Sequence, residues 1–211
     1  MEARSWYSEL VLENAAEALK KNGFLAYVAK NSDEAKSLVL SLVPSRSTVG
    51  VGGSVTVREL GLIEELERSG CKVVHHWVKA DPSELDRLRR AELVSDVFLC
   101  SVNAVTLDGK LVCIDGLGNR VAAMVFGPRR VIVVAGRNKL VRDVKEGVWR
   151  ARNMAAVMNS KRLGVNTPCV KLGHCVDCDS PERICRVLLV LERKPFNSDF
   201  HVILVNEDLG Y

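Results

Sequence analysis

The chain has 211 residues, 47% of them apolar and 27% charged, with a formal net charge of +4. That length can bury a sizeable core and suits one large domain, and the composition is that of a soluble globular protein. Lys and Arg are interleaved with Asp and Glu, as in "SELDRLRRAEL", so no basic block marks a nucleic-acid-binding protein, while small anionic ligands stay open.

From the N-terminus, "MEARSWYSEL" carries an acid early and lacks an apolar signal core. No apolar run approaches the ~20 residues that cross a bilayer, so the chain is expected in the cytoplasm and off the membrane. "SWYSELVLENAAEALKKNG" predicts a helix with Ser5 as N-cap and Gly23 as its stop, gathering Tyr7, Leu10, Val11, Ala15 and Ala18 on one face. Strands and helices then alternate. "FLAYVA" reads as a strand, "SDEAKSLVLSLV" as a capped helix, "STVGVG" as a strand, and "TVRELGLIEELERSG" as one helix ending at Gly70. After the strand "CKVVHHW", Asp81 and Pro82 supply the N-cap and first position of a further helix. "DVFLCSV" is a buried strand, and "AVTL" and "LVCI" form a hairpin around Asp108-Gly109. "GLGNRVAAMVFGP" predicts a helix and "RRVIVVAG" a core strand. Val141, Val144, Val148, Ala151, Ala155 and Met158 recur at helical spacing, which predicts one long amphipathic helix. "RVLLVLER" and "DFHVILVN" close the chain as strands around Pro195. The alternation predicts a single α/β domain over residues 1–211: a mostly parallel sheet with helices on both faces.

Two stretches carry candidate chemistry. In "VGVGGSVTVREL", Gly50, Gly52 and Gly53 end a strand, and Ser54 or Thr56 opens the next helix. Glycine lets a ligand approach the backbone, and a helix start offers unpaired N–H groups, so a carboxylate or phosphate would sit well there. A plain strand-to-helix turn is the alternative. The spacing is neither G-x-G-x-x-G nor a Walker lysine loop, so no nucleotide cofactor is expected. Residues 101–127 then present Asn103, Thr106, Asp108 and Asp115, followed by Gly116, Gly118, Asn119 and Arg120. Asn103 directly follows a core strand, where ligand-facing side chains lie. Asp115 is either a helix cap or an acid–base carboxylate, and Asp108, a second catalytic candidate, already has a sufficient role in the turn. Arg120 can pair with a substrate anion or with Asp115. His75 and His76 end a strand beside Trp77, so one of them must face away from the core. His201 reads as structural, and Cys71, Cys100 and Cys113 as core residues.

Four of the seven cysteines crowd into "CVKLGHCVDCDSPERIC", spaced C-x5-C-x2-C-x6-C, with His174 beside the second. A reducing compartment disfavours disulfides. Cys169, Cys175, Cys178 and Cys185 could complete a four-thiolate zinc site or hold an iron–sulfur cluster, and idle thiols or a redox pair are the alternatives. The expectation is one metal centre, in a cysteine-rich insertion near residues 166–185 that has few apolar residues to order it.

The run from "VGVGGSVTVRELGL" through "NAVTLDGKLVCIDGLGNRVAAMVFGP" to "HVILVNEDLGY" resembles the lactate-utilisation LUD domain family over nearly the whole chain. The resemblance implies a fold like that of glucosamine-phosphate deaminase, ribose-phosphate isomerase and CoA transferases. It also implies a pocket drawing on Gly52, Gly53, Ser54, Thr56, Asn103, Asp108, Asp115 and Arg120. The hairpin resembles that of methylthioribose-phosphate isomerases. Some relatives work in a multi-protein system that oxidises lactate to pyruvate beside iron–sulfur and flavin-dependent oxidoreductase subunits. The expected role is therefore in small organic-acid metabolism, on an anionic organic acid or phosphorylated ligand. The rival is a non-catalytic subunit or binding module whose cysteine site serves assembly or electron transfer with such partners; a homo-oligomer also stays open.

Overall fold

A computed structural model describes residues 2–211, and the expected alternation of strands and helices runs through them. The helices are α1 (Glu2–Lys21), α2 (Ser32–Leu42), α3 (Val55–Glu59), α4 (Leu62–Arg68), α5 (Pro82–Leu93), α6 (Asn119–Val125), α7 (Val144–Arg150), α8 (Ala156–Leu163) and α9 (Pro168–Leu172). The strands are β1 (Leu25–Ala29), β2 (Thr48–Val51), β3 (Lys72–His75), β4 (Val97–Cys100), β5 (Ala104–Thr106), β6 (Leu111–Asp115), β7 (Arg130–Gly136), β8 (Leu140–Val141), β9 (Val187–Leu191) and β10 (Asp199–Val205). Among the described residues no helix is long and apolar enough to cross a membrane.

Six strands form one sheet in the order β1-β10-β7-β4-β2-β3, with every neighbouring pair parallel. A strand buried on both sides is mostly apolar: β4 is so throughout, β7 beyond Arg130, and β10 apart from Asp199 and His201. Along β10, Phe200, Val202 and Leu204 enter one core while Ile203 and Val205 enter the other. β7 and β4 divide in the same way, because successive side chains point to opposite faces. Leu12, Ala15, Ala16 and Leu19 of α1, with Val121, Ala123 and Met124 of α6, fill the first core. Ala35 and Val39 of α2, Val57 of α3, and Leu62, Ile63 and Leu66 of α4 fill the second. Phe24, Phe98 and Phe200 are fully buried, and each such ring contributes about 1.5–3 kcal/mol relative to exposure.

A second sheet, in the order β8-β5-β6-β9, packs Val105, Leu111 and Cys113 into the first core. β5 and β6 form the expected hairpin, with Gly109 at φ +81° in its turn. Its tip is pressed against α1: a Cβ on Gly109 would lie 2.4 Å from the Ala18 carbonyl carbon. Asn22 Nδ2 holds it there, donating to the carbonyls of Asp108 and Gly109 at 2.9 and 2.8 Å.

Local signals placed α5 well. Asp81 caps it by accepting from the Glu84 N–H at 3.0 Å, with Pro82 at its first position. Three other expectations are corrected, and the sheet that each closing strand joins is added. Ser5 lies inside α1, and the buried stripe is Leu12, Ala15, Ala16 and Leu19, while Tyr7 and Leu10 face out. The helix foreseen over "TVRELGLIEELERSG" is two, α3 and α4, because Gly61 adopts φ +62° between them. β9 joins the second sheet, pairing with β6, and only β10 enters the main one. The long helix after β7 starts later, since Val141 belongs to β8, and it contains a π-helical turn, Ala151–Ala155, between α7 and α8. One extra residue in that turn offsets the pattern, so Met158 is exposed while Ala156 and Ser160 are buried.

Candidate functional site

Parallel sheets present ligands at the carboxyl ends of their strands. Here β2, β4 and β7 lead into Gly53–Thr56, Ser101–Asn103 and Lys139, and these segments line one cavity of about 390 Å³. His76 and Trp77, just beyond β3, form part of its wall. The π turn and α8 supply the opposite side through Ala151, Ala155, Asn159 and Arg162. Tyr211 closes it from the C-terminal segment, its hydroxyl donating to Asn159 Oδ1 at 3.2 Å.

Of the residues expected from sequence, Gly53, Ser54, Thr56, Asn103, Asp115 and Arg120 all line the cavity. Gly52 sits beneath it, where a Cβ would lie 2.9 Å from the Phe98 ring, so its glycine serves packing. At Gly53 a Cβ would meet Trp77 Nε1 at 2.9 Å and His76 Nε2 at 3.2 Å. Ser54 caps α3, its Oγ accepting from the Val57 N–H at 3.2 Å. Asp108 is elsewhere. It stays at the hairpin tip, ion-paired with Lys110 at 2.9 Å and accepting from the Thr106 hydroxyl, which hold its carboxyl below the usual range.

Arg120 and Asp115 answer to each other. Arg120 Nε donates to Asp115 Oδ1 at 3.1 Å, Nη1 to the Ser101 carbonyl at 2.9 Å, and Nη2 to the Ile114 carbonyl at 2.7 Å and Asn103 Oδ1 at 3.1 Å. The other Asp115 oxygen accepts from the Val121 N–H at 3.1 Å, in the first turn of α6. Asn103 Oδ1 also accepts from the Ile114 N–H at 2.7 Å, and its carbonyl from Arg150 at 2.6 Å. These polar groups brace the floor of the cavity against one another.

Further basic side chains lie around that floor, with Arg162 donating to Asn159 Oδ1 at 3.0 and 2.7 Å. Arg89 lines the cavity from α5, and its buried Nε has no hydrogen-bond partner among the described residues. Arg162 stacks on Trp77 at 4.6 Å, opposite Arg58 at the same distance. His76 Nδ1 lies 2.6 Å from Glu92 Oε1, and the fully buried Glu92 also accepts from the His76 N–H at 3.0 Å. Lys139 is buried, its Nζ donating to Thr56 Oγ1 and Ser101 Oγ, each at 2.8 Å. Burial, then the neighbouring charges of Arg150 and Arg120, lower its pKa to about 7.

The cysteine stretch connects α8 to β9, and it holds no assembled metal site. Among the described residues no group of three or more His, Cys, Asp or Glu side chains is placed to hold a metal ion. All seven cysteines are free thiols. Cys169 Sγ pairs with Thr167 Oγ1 at 3.2 Å, and Cys175 Sγ accepts from the Asp177 N–H at 3.4 Å. Arginine side chains brace the segment. Arg183 donates to the carbonyls of Cys178 and Cys185 and to Asp177, while Arg186 donates to those of Arg183 and Pro181. As placed, these residues do not fit a zinc ion or a cluster. Through Ile184 the segment lines the cavity.

The LUD domain family model matches residues 12–205. The chain belongs to the LUD domain family. A crystal structure of a DUF162 family protein from Deinococcus radiodurans superposes with a TM-score of 0.54 at 16% identity, covering 94% of this chain and 97% of that one, which shows a shared fold. No curated protein matches the sequence. Within this LUD domain, sequence reasoning missed Lys139, Arg89, Arg162 and the His76–Glu92 pair as a unit. Lys139 had one usable signal, its position just past the carboxyl end of a core strand.

Proposed function

We propose that the chain binds a small anionic molecule, an organic acid or a phosphorylated compound, in the cavity at the carboxyl ends of β2, β4 and β7. The observation that carries this reading is the surplus of positive charge there. Arg89 and Arg162 have no carboxylate within ion-pair distance among the described residues, whereas Asp115 is already committed to Arg120. An arginine donor left buried and unpaired costs stability, and a carboxylate or phosphate would satisfy it with charge-assisted hydrogen bonds. A cavity of about 390 Å³ falls within the usual range for small-ligand pockets and suits a metabolite. The association of the LUD family with lactate utilisation favours an organic acid as the occupant.

Thermal unfolding in the presence of lactate, pyruvate, related hydroxy and oxo acids, and sugar phosphates tests this. A ligand that binds only the native state stabilises it by about 2.7 kcal/mol at a hundredfold excess over its Kd. Arg89→Gln and Arg162→Gln should each weaken the response while the fold is retained. If none of these anions shifted the transition, the pocket reading would be wrong.

A further inference from the structure

A buried lysine needs an explanation of its hydrogen bonds. Lys139 donates to two hydroxyls, and both of those are donors elsewhere: Thr56 Oγ1 to the Leu209 carbonyl at 3.3 Å, Ser101 Oγ to the Val102 carbonyl at 3.4 Å. Each hydroxyl proton is thus taken, and each oxygen presents a lone pair to Nζ. An ammonium would carry a third N–H and a full positive charge, with no carboxylate within ion-pair distance among the described residues and with Arg120 and Arg150 close by. A neutral amine uses its two N–H groups on the two hydroxyls and keeps one open valence, its lone pair. Asn138 and the C-terminal segment fix the surroundings. Asn138 Nδ2 donates to the Gly210 carbonyl at 3.0 Å, and its Oδ1 accepts from the Leu209 N–H at 3.1 Å. Lys139 lines the same cavity as Arg89 and Arg162.

We propose that Lys139 is a nucleophilic amine that forms an imine with a small carbonyl compound bearing an anionic group, of which a 2-oxo acid is the simplest. This rests on the anion-binding reading above, with the arginines taking the acid group while the carbonyl carbon meets Nζ. The lone pair forms the N–C bond as the carbonyl π pair moves to oxygen. The C–O bond then breaks, and the oxygen leaves as water with the two protons that the amine nitrogen carried, leaving C=N. Desolvation beside other cations is a recognised way to make lysine nucleophilic near neutral pH, and it agrees with the lowered pKa of this residue.

The test is reductive trapping on the wild-type protein at neutral pH. Pyruvate or glyoxylate is supplied with cyanoborohydride, which delivers hydride to the imine carbon and fixes a secondary amine, and tryptic peptides are then mapped by mass. The expected result is one dominant adduct on Lys139, formed at least tenfold faster than on any other lysine, with lactate competing against it. The rate should level off above about pH 7, whereas exposed lysines continue to gain toward 10.5. Lys139→Met should lose the adduct while circular dichroism shows the fold retained. If the oxo acids stabilise the protein but the label spreads over other lysines and spares Lys139, the imine is wrong and the pocket stands. If they neither stabilise nor label, both fall.

Discussion

Replacing Arg120 with methionine should be among the most damaging single changes available in this chain. The guanidinium is 11% exposed and its partner carboxylate 13%, and four hydrogen bonds tie it to Asp115, Ser101, Asn103 and Ile114. Methionine fills much of the same volume, so the loss is electrostatic: Asp115 would keep only the Val121 N–H. Removing one member of a buried pair costs about 3–5 kcal/mol, and the slight exposure of Asp115 puts the expectation near ~3 kcal/mol. Against a total stability of about 5–15 kcal/mol, that is a large fraction. Urea denaturation followed by circular dichroism measures it, with Arg90→Met as reference, since Arg90 makes an exposed pair with Asp86 of the kind that contributes little. Adding Asp115→Asn to Arg120→Met removes the stranded charge and should recover at least ~1 kcal/mol in a double-mutant cycle. A loss no greater than that of Arg90→Met, or a cycle with no coupling, would refute the argument that this pair braces the cavity floor.

Gly109→Ala should destabilise by about 2 kcal/mol or more, because the added methyl meets the α1 backbone, while Gly70→Ala, at a similar positive φ with open space around it, should cost only ~1 kcal/mol by the same denaturation assay. Lys139 has a folded pKa below its unfolded one, so below about pH 7 both states are protonated and the buried charge weighs fully against folding; between about pH 7 and 10.5 the unfolded chain holds the extra proton and stability rises with pH. The difference in unfolding free energy between wild type and Lys139→Met, measured over that window, should therefore climb with pH, and a flat difference would contradict the assignment. Thiol labelling of the native protein should reach Cys169, Cys175, Cys178 and Cys185, while Cys100 and Cys113, fully buried with thiol pKa values pushed up by that burial, react only on unfolding; equal rates throughout would count against the packing.

Much of the fold could be read from local chemistry. The Asp81-Pro82 start of α5, the Asp108-Gly109 turn and the apolar runs of β4 and β7 each carry their structure within a few residues. What was lost depended on distant partners. The buried stripe of α1 is decided by the sheet against which Leu12 and Leu19 pack, and the pairing of β9 with β6 is likewise a distant contact. The cavity was half legible for the same reason. Gly53, Asn103 and Arg120 stand out beside strand ends, but "GRNK" reads as a solvated loop. Only the return of residues 207–211 over it, some seventy positions later, buries Lys139. The contacts of Arg183 with the carbonyls of Cys178 and Cys185 leave no mark on the cysteine spacing.

The π-helical turn between α7 and α8 makes one wall of the cavity depend on chain length as well as on side-chain identity. Each residue added to or removed from a helix turns everything beyond it by about 100°. Deleting a single residue within Ala151–Ala155 would let the segment relax to α-geometry and would swing Asn159 and Arg162 away from the cavity they now line, with every side chain of α8 unchanged. Point substitutions in α8 can retune the lining, but a one-residue deletion upstream would exchange the whole face at once. Two chains with identical α8 sequences could on this account recognise different ligands.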